Sequence, residues 1–77
     1  MPTILRKNGF RYYFYSNEHT PIHVHVSNGS GVAKFNVLEE VVLVESEGMK
    51  VKELAEAQQY AEENVELIRR EWHEYFG

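Results

Sequence analysis

The chain has 77 residues, a net charge of -4 and no cysteine, with 43% hydrophobic and 26% charged residues. That length holds one core rather than two, and a domain this small buries only about 60% of its unfolded surface, so an oligomer or an obligate partner is a natural way to complete it. Without cysteine, a disulfide scaffold, thiolate metal ligation and a cysteine nucleophile are all excluded.

The start, Met1-Pro2-Thr3-Ile4, has no basic stretch leading into an apolar run, and nowhere do about 18 apolar residues follow one another. A bacterial-type cytoplasmic location without membrane contact is therefore expected. Thr3 to Lys7 and Phe10 to Tyr15 are β-prone runs flanking Asn8-Gly9, the strongest short hairpin signal, because a type I′ turn needs positive φ at both central residues. A two-residue loop within the hairpin 3–15 pairs Lys7 with Phe10, Arg6 with Arg11, Leu5 with Tyr12 and Ile4 with Tyr13. Leu5, Phe10, Tyr12 and Phe14 then face the core, and Ile4, Arg6, Arg11, Tyr13 and Tyr15 face away.

Ser16 to Pro21 reads as a loop. Ile22 to Ser27 alternates strictly, with Ile22, Val24 and Val26 inward and His23, His25 and Ser27 outward. Asn28-Gly29-Ser30-Gly31 turns the chain, and Val32 to Leu38 returns with Ala33, Phe35 and Val37 inward. After Glu39-Glu40, the run Val41 to Val44 reads as a short, well-buried fifth strand, and the β part ends near Gly48.

From Met49 the period changes to 3.6: Val51, Leu54, Ala61, Val65, Ile68, Trp72 and Tyr75 share a stripe whose one polar position is Gln58. Unbroken, this helix would run about 40 Å, roughly twice the length of a six-residue strand. Either it breaks near Asn64, which suits a cap, or its end packs on another chain. Trp72, Tyr75 and Phe76 favour the break, since such a tail belongs in a core. Lys50 and Lys52 open the helix, where they either pair with Glu47, Glu53 or Glu56 or help hold an anion. The predicted fold is a single α+β domain over residues 1–77: an antiparallel β-sheet of four to five strands, covered on one face by a C-terminal amphipathic helix or helix pair over 49–76.

Charge divides unevenly along the chain. Residues 1–37 carry four cations and one acid, net +3, while residues 38–77 carry four cations and eleven acids, net -7. A cationic sheet and an acidic helical surface facing different partners is one reading, and an ordinary solvated acidic helix is the other.

The outward residues hold most of the usable chemistry. Arg6, Arg11, Tyr13, Tyr15, His23 and His25 on one uncovered face mix cations with rings, which suits phosphates and stacked bases of RNA or DNA. Arginines splayed into solvent and a tyrosine-rich strand chosen for its β-propensity would produce the same pattern. In a ribonuclease, His23 or His25 would serve as general base or acid and Arg11, aided by Arg6, would stabilise the charge building on phosphorus. Alternation also sets the two histidines about 6.6–7 Å apart along the strand, so that Glu18, His19, His23 and His25 form a candidate ligand set for a divalent metal such as Zn²⁺. Two half-exposed strand histidines are the plainer reading of the same residues.

The block from Phe14 to Val26, with Pro2-Thr3-Ile4-Leu5-Arg6, Gly9-Phe10-Arg11, Ala33-Lys34-Phe35, Lys52-Glu53-Leu54 and Trp72-His73-Glu74-Tyr75-Phe76, resembles a family of small bacterial proteins, the domain-of-unknown-function 4160 family. The resemblance covers nearly the whole chain. Pro21-Ile22-His23 stands where the family often has Pro-Pro-His, which leaves the histidines in place. It implies a component of a toxin–antitoxin module, with a cognate toxin or antitoxin as protein partner, and it carries no catalytic residues. The expectation is thus a toxin–antitoxin component that contacts nucleic acid, with an RNase-type toxin as its catalytic form. The alternatives are a noncatalytic antitoxin-like or regulatory module that binds a protein, including a second copy of itself as a homodimer, and a small metal-binding domain.

Overall fold

The computed structural model describes residues 3–16 and 19–77. Five strands, β1 (Thr3–Lys7), β2 (Phe10–Tyr13), β3 (His23–Ser27), β4 (Val32–Val37) and β5 (Val41–Glu47), precede two helices, α1 (Val51–Glu63) and α2 (Val65–Phe76). The strands form one antiparallel sheet in the order β1-β2-β3-β4-β5, a meander in which each strand pairs with the next along the chain. Both helices pack on one face of it, giving the expected α+β arrangement.

Asn8 and Gly9 adopt φ of 49° and 84°, the backbone that a type I′ turn needs. The pairs Lys7–Phe10, Arg6–Arg11 and Leu5–Tyr12 form as the loop length predicts. The fourth does not: Tyr13 opposes Thr3, and Ile4 is the extra residue of a bulge. A strict ladder would hold Ile4 on the outer face, whereas the bulge lets it pack on the apolar cluster. The hairpin tip is tied to α1 by the Asn8 amide, which donates to the Tyr60 hydroxyl, and by Phe10 against the Tyr60 ring.

Period-two alternation fills the core. Phe10 and Tyr12 from β2, Phe14 after it, Val24 and Val26 from β3, and Ala33, Phe35 and Val37 from β4 all point under the helices. The helices answer with Ala57, Ala61, Ile68 and Trp72. Alanine at 57 and 61 leaves room for the Tyr12 ring, whose hydroxyl donates to the Ala57 carbonyl at 2.7 Å. Gln58, the polar member of the stripe, donates to the Val41 carbonyl at 3.1 Å.

The helical segment breaks at Asn64, where φ -122° and ψ 24° leave the helical region. The residue acts mainly backward: its side-chain amide donates to the Tyr60 carbonyl at 2.8 Å, ending α1, while its own carbonyl accepts the Ile68 N–H that starts α2. Folding back sets Trp72 edge-on to Phe14, ring centroids 5.3 Å apart, with Phe76 4.5 Å from Trp72.

Three expectations from the periodicity are corrected. β5 is an edge strand in which only Val41 is buried; its apolar run comes from no interior position. Val51 is 84% exposed because it lies in the first turn, before α1 reaches the sheet. Tyr75 is exposed beside Phe76, which takes the inward position at the end of α2.

Candidate functional site

The register carries residues on the side away from the helices into rows that cross the sheet. One row runs Arg6, Arg11, Ser27, Val32, Glu47, and a second runs Thr3, Tyr13, His25, Lys34, Glu45. A third contains His23, Asn36 and Val42. Side chains of directly opposed residues stand on the same side of a sheet, so Arg11, Tyr13, His23 and His25 share a face, as the alternation predicts. The face is not uniformly basic. Cations occupy β1 and β2, Lys34 sits on β4, and Glu45 and Glu47 hold the β5 end.

Rings link these rows. The Arg11 guanidinium lies 4.4 Å from the centre of the Tyr13 ring, and its Nε donates to the Thr3 hydroxyl at 2.9 Å, which turns it from Arg6 across the strand pair. Tyr15 stacks on His25 at 3.9 Å, Tyr13 stacks on the same imidazole at 5.6 Å, and the His23 and His25 rings are 5.5 Å apart. Burial chiefly, and then the neighbouring Tyr15, raise the Tyr13 pKa against the lowering influence of Arg11, so the phenol stays neutral at physiological pH. His23 Nδ1 lies 2.7 Å from the Pro21 carbonyl oxygen, which can only accept, so Nδ1 carries the proton and the basic lone pair of the neutral ring is at Nε2. The preceding Thr20–Pro21 peptide is cis.

Exposure divides the predicted residues. Arg6 and Tyr15 are exposed and Arg11 is intermediate, but Tyr13, His23 and His25 are only 6%, 7% and 9% exposed. The histidines were expected on an uncovered surface. The register sets both on the side away from the helices, yet Tyr15 and Tyr13 lie over His25, and the His23 ring meets the core residue Trp72 of α2 at 5.2 Å. Alternation specifies a side, and the cover comes from residues beyond the strand.

Of the candidate metal ligands, Glu18 lies outside the described residues and His19 is exposed on the loop. Among the described residues no three or more His, Asp or Glu side chains are grouped so as to hold an ion. Two members of the site escaped sequence reasoning, Lys34 and Glu45. The alternation of β4 already put Lys34 outward, but its place beside His25 required knowing that β3 pairs with β4. A depression of about 240 Å³ lies between these groups, lined by Tyr13, Tyr15, His25, Lys34, Glu45 and Glu47 among others.

The chain is thus an α+β domain with a five-stranded meander, helices on one face and a cation-, ring- and imidazole-bearing face opposite. The family model described as domain of unknown function DUF4160 matches residues 9–73, and the chain belongs to that family. No curated protein and no solved structure matches it. Among the described residues no helix is long and apolar enough to cross a membrane.

Proposed function

We propose that the chain contacts single-stranded nucleic acid, RNA in the first instance, through the β1–β3 half of its open sheet face, as one component of a toxin–antitoxin pair. The observation that carries this reading is the juxtaposition of Arg11 over Tyr13 with Tyr15, a ring 46% exposed although one side lies on His25. A base stacks on the outward side of Tyr15 while Arg6 and Arg11 meet its phosphates. Glu45 and Glu47 repel phosphates and keep the strand off β5.

Fluorescence anisotropy with a mixed-sequence 12-nucleotide RNA at low salt tests this. Tyr15→Ala is expected to weaken binding about 5- to 150-fold, the range for one lost stacking ring. The double substitution Arg6→Ala with Arg11→Ala should flatten the slope of log affinity against log salt by about 1.4, or roughly 0.7 per phosphate contact on a single strand. Absence of binding by the unmodified chain in 20 mM salt would sink the proposal.

A second reading, cleavage, draws on the His23 tautomer. With the Nδ1 proton committed to Pro21, Nε2 is the nitrogen able to take a proton from a ribose 2′-hydroxyl, and His25, 5.5 Å away ring to ring, would return one to the leaving 5′-oxygen. Their burial means that RNA must first move Tyr15 off His25 and reach His23 beside Trp72. Cleavage that persists with a chelator and disappears with His23→Ala and His25→Ala supports this reading; cleavage unaffected by those substitutions excludes it.

A further inference from the structure

Among the described residues, half of the large apolar side chains left exposed gather at one place. Leu38, Val42, Leu43 and Val44 are 38–50% exposed, the last three in succession on β5. β5 pairs with β4 alone, and an edge strand directs the N–H and C=O groups of alternate residues outward as a template for another strand, an alternation that the bulge residue Val44, between Leu43 and Glu45, interrupts at the end of the run. Gln58 from α1 takes the Val41 carbonyl, so the open stretch starts at Val42. Val42 opposes Asn36 on the open face and Leu43 opposes Phe35 on the helix side, so an added strand would cover apolar surface on both faces.

Charge distinguishes the occupants. Glu39 and Glu40 precede the apolar run, and Glu45 and Glu47 follow it. Antiparallel pairing of β5 with β5 of a second copy, centred on Val42 or Leu43, carries the leading glutamates of each copy toward the trailing glutamates of the other. Like charges meeting across a strand pair are destabilising. Lys34 faces Glu45 within the sheet and leaves the other three acids to the surroundings. Beside one end lies a depression lined by Leu38, Glu39, Glu40 and Val42, which suits the methylene stem and charged head of a lysine or arginine.

We propose that β5 accepts, as a sixth strand, an extended segment of a partner protein in which about four apolar or β-branched residues are flanked on both sides by lysine or arginine. This surface shares no residue with the proposed nucleic-acid contact on β1–β3, and neither depends on the other. Main-chain hydrogen bonds to Val42–Val44 supply the attachment, and the flanking cations supply the choice of partner.

The test uses the full chain and two fluorescein-labelled nine-residue peptides, each with five β-branched residues, flanked by two lysines at either end in one and two glutamates in the other. The lysine peptide is expected to bind at least tenfold more tightly and to slow amide exchange at Val42–Val44 while leaving β1 unchanged. Val44→Lys, at an exposed position, should retain the unmodified melting temperature and weaken that peptide at least tenfold. Glu45→Lys with Glu47→Lys, which leaves Glu39 and Glu40 in place, should remove most of the preference between the two peptides. Equal binding of the two, protection at β1 instead of β5, or no binding of the lysine peptide overturns the proposal. A dimer of the chain itself, broken by Val44→Lys, overturns it by showing that a second copy is the occupant.

Discussion

Trp72 and Val51 belong to the same helical stripe, yet their surroundings differ completely. Trp72 is 4% exposed and touches Phe14, Phe76 and His23, whereas Val51 is 84% exposed. Trp72→Ala is expected to cost about 3–5 kcal/mol, from lost burial and the cavity left behind. For 77 residues, a total stability of roughly 4–12 kcal/mol follows from the usual per-residue range, so that one truncation removes a large part of it. Val51→Ala should fall within about 0.5 kcal/mol of the unmodified chain. Urea unfolding midpoints compare the two; equal effects would show that Trp72 is not seated against Phe14. Tyr12 adds a polar version of the contrast. Burial pushes its phenol pKa well up, and its hydroxyl serves the Ala57 carbonyl, so Tyr12→Phe should cost about 1 kcal/mol in the same experiment, the ordinary net value of one hydrogen bond. Period 3.6 finds the stripe; which members reach the sheet depends on where each helix lies.

Between elements, Glu53 acts as a clasp. Its carboxylate accepts the Lys50 N–H at 2.8 Å at the start of α1, and also accepts bonds from the Asn28 amide at 2.9 Å and the Ser30 hydroxyl at 3.1 Å in the β3–β4 turn. The Lys50 N–H chiefly, with Ser30, Asn28 and the Lys50 charge, holds the Glu53 pKa below the ordinary glutamate value. A lowered folded-state pKa means that the unfolded chain takes up its proton first as pH falls. The contribution is therefore complete above the ordinary value and is lost on acidification through the lower, folded one. Melting temperature measured from pH 6 to pH 3 should fall less steeply in Glu53→Gln than in the unmodified chain; identical slopes would remove Glu53 from the acid response. The same turn leaves no room at Gly31, where an added Cβ would come within 2.1 Å of the Glu47 carbonyl oxygen, while at Gly29 it would meet nothing within 4 Å. Gly31→Ala should therefore cost on the order of 1–3 kcal/mol and Gly29→Ala little, read again from unfolding midpoints. From the sequence, Asn28-Gly29-Ser30-Gly31 is legible as a turn, but the two glycines look alike, because only the end of β5 distinguishes them.

At the scale of the whole molecule, the charge split becomes a direction across the sheet. The cationic first strands and the acidic last strand lie at opposite edges because the meander keeps chain order as spatial order. Had β5 been inserted between β2 and β3, its acids would stand among the cations of the first strands and no polarity would remain. The hairpin, its first three pairs, the alternating third strand, the helical segment and its break at Asn64 were all legible locally, since each rests on turn chemistry or a short-range period. Tyr15 over His25, Lys34 beside it and the exposed edge at Val42–Val44 were not, because each requires knowing which strands are neighbours and what lies beyond their ends.

By itself, then, the amino-acid sequence determined the elements and, where no bulge intervenes as it does at Ile4, the side of the sheet to which strand residues turn. Alternation and turn geometry act over a few residues and need no tertiary information. Tertiary structure decided which outward residues are covered, with the histidines tucked beneath rings and Val42 and Val44 exposed at an edge, because burial is settled by neighbours distant in the chain.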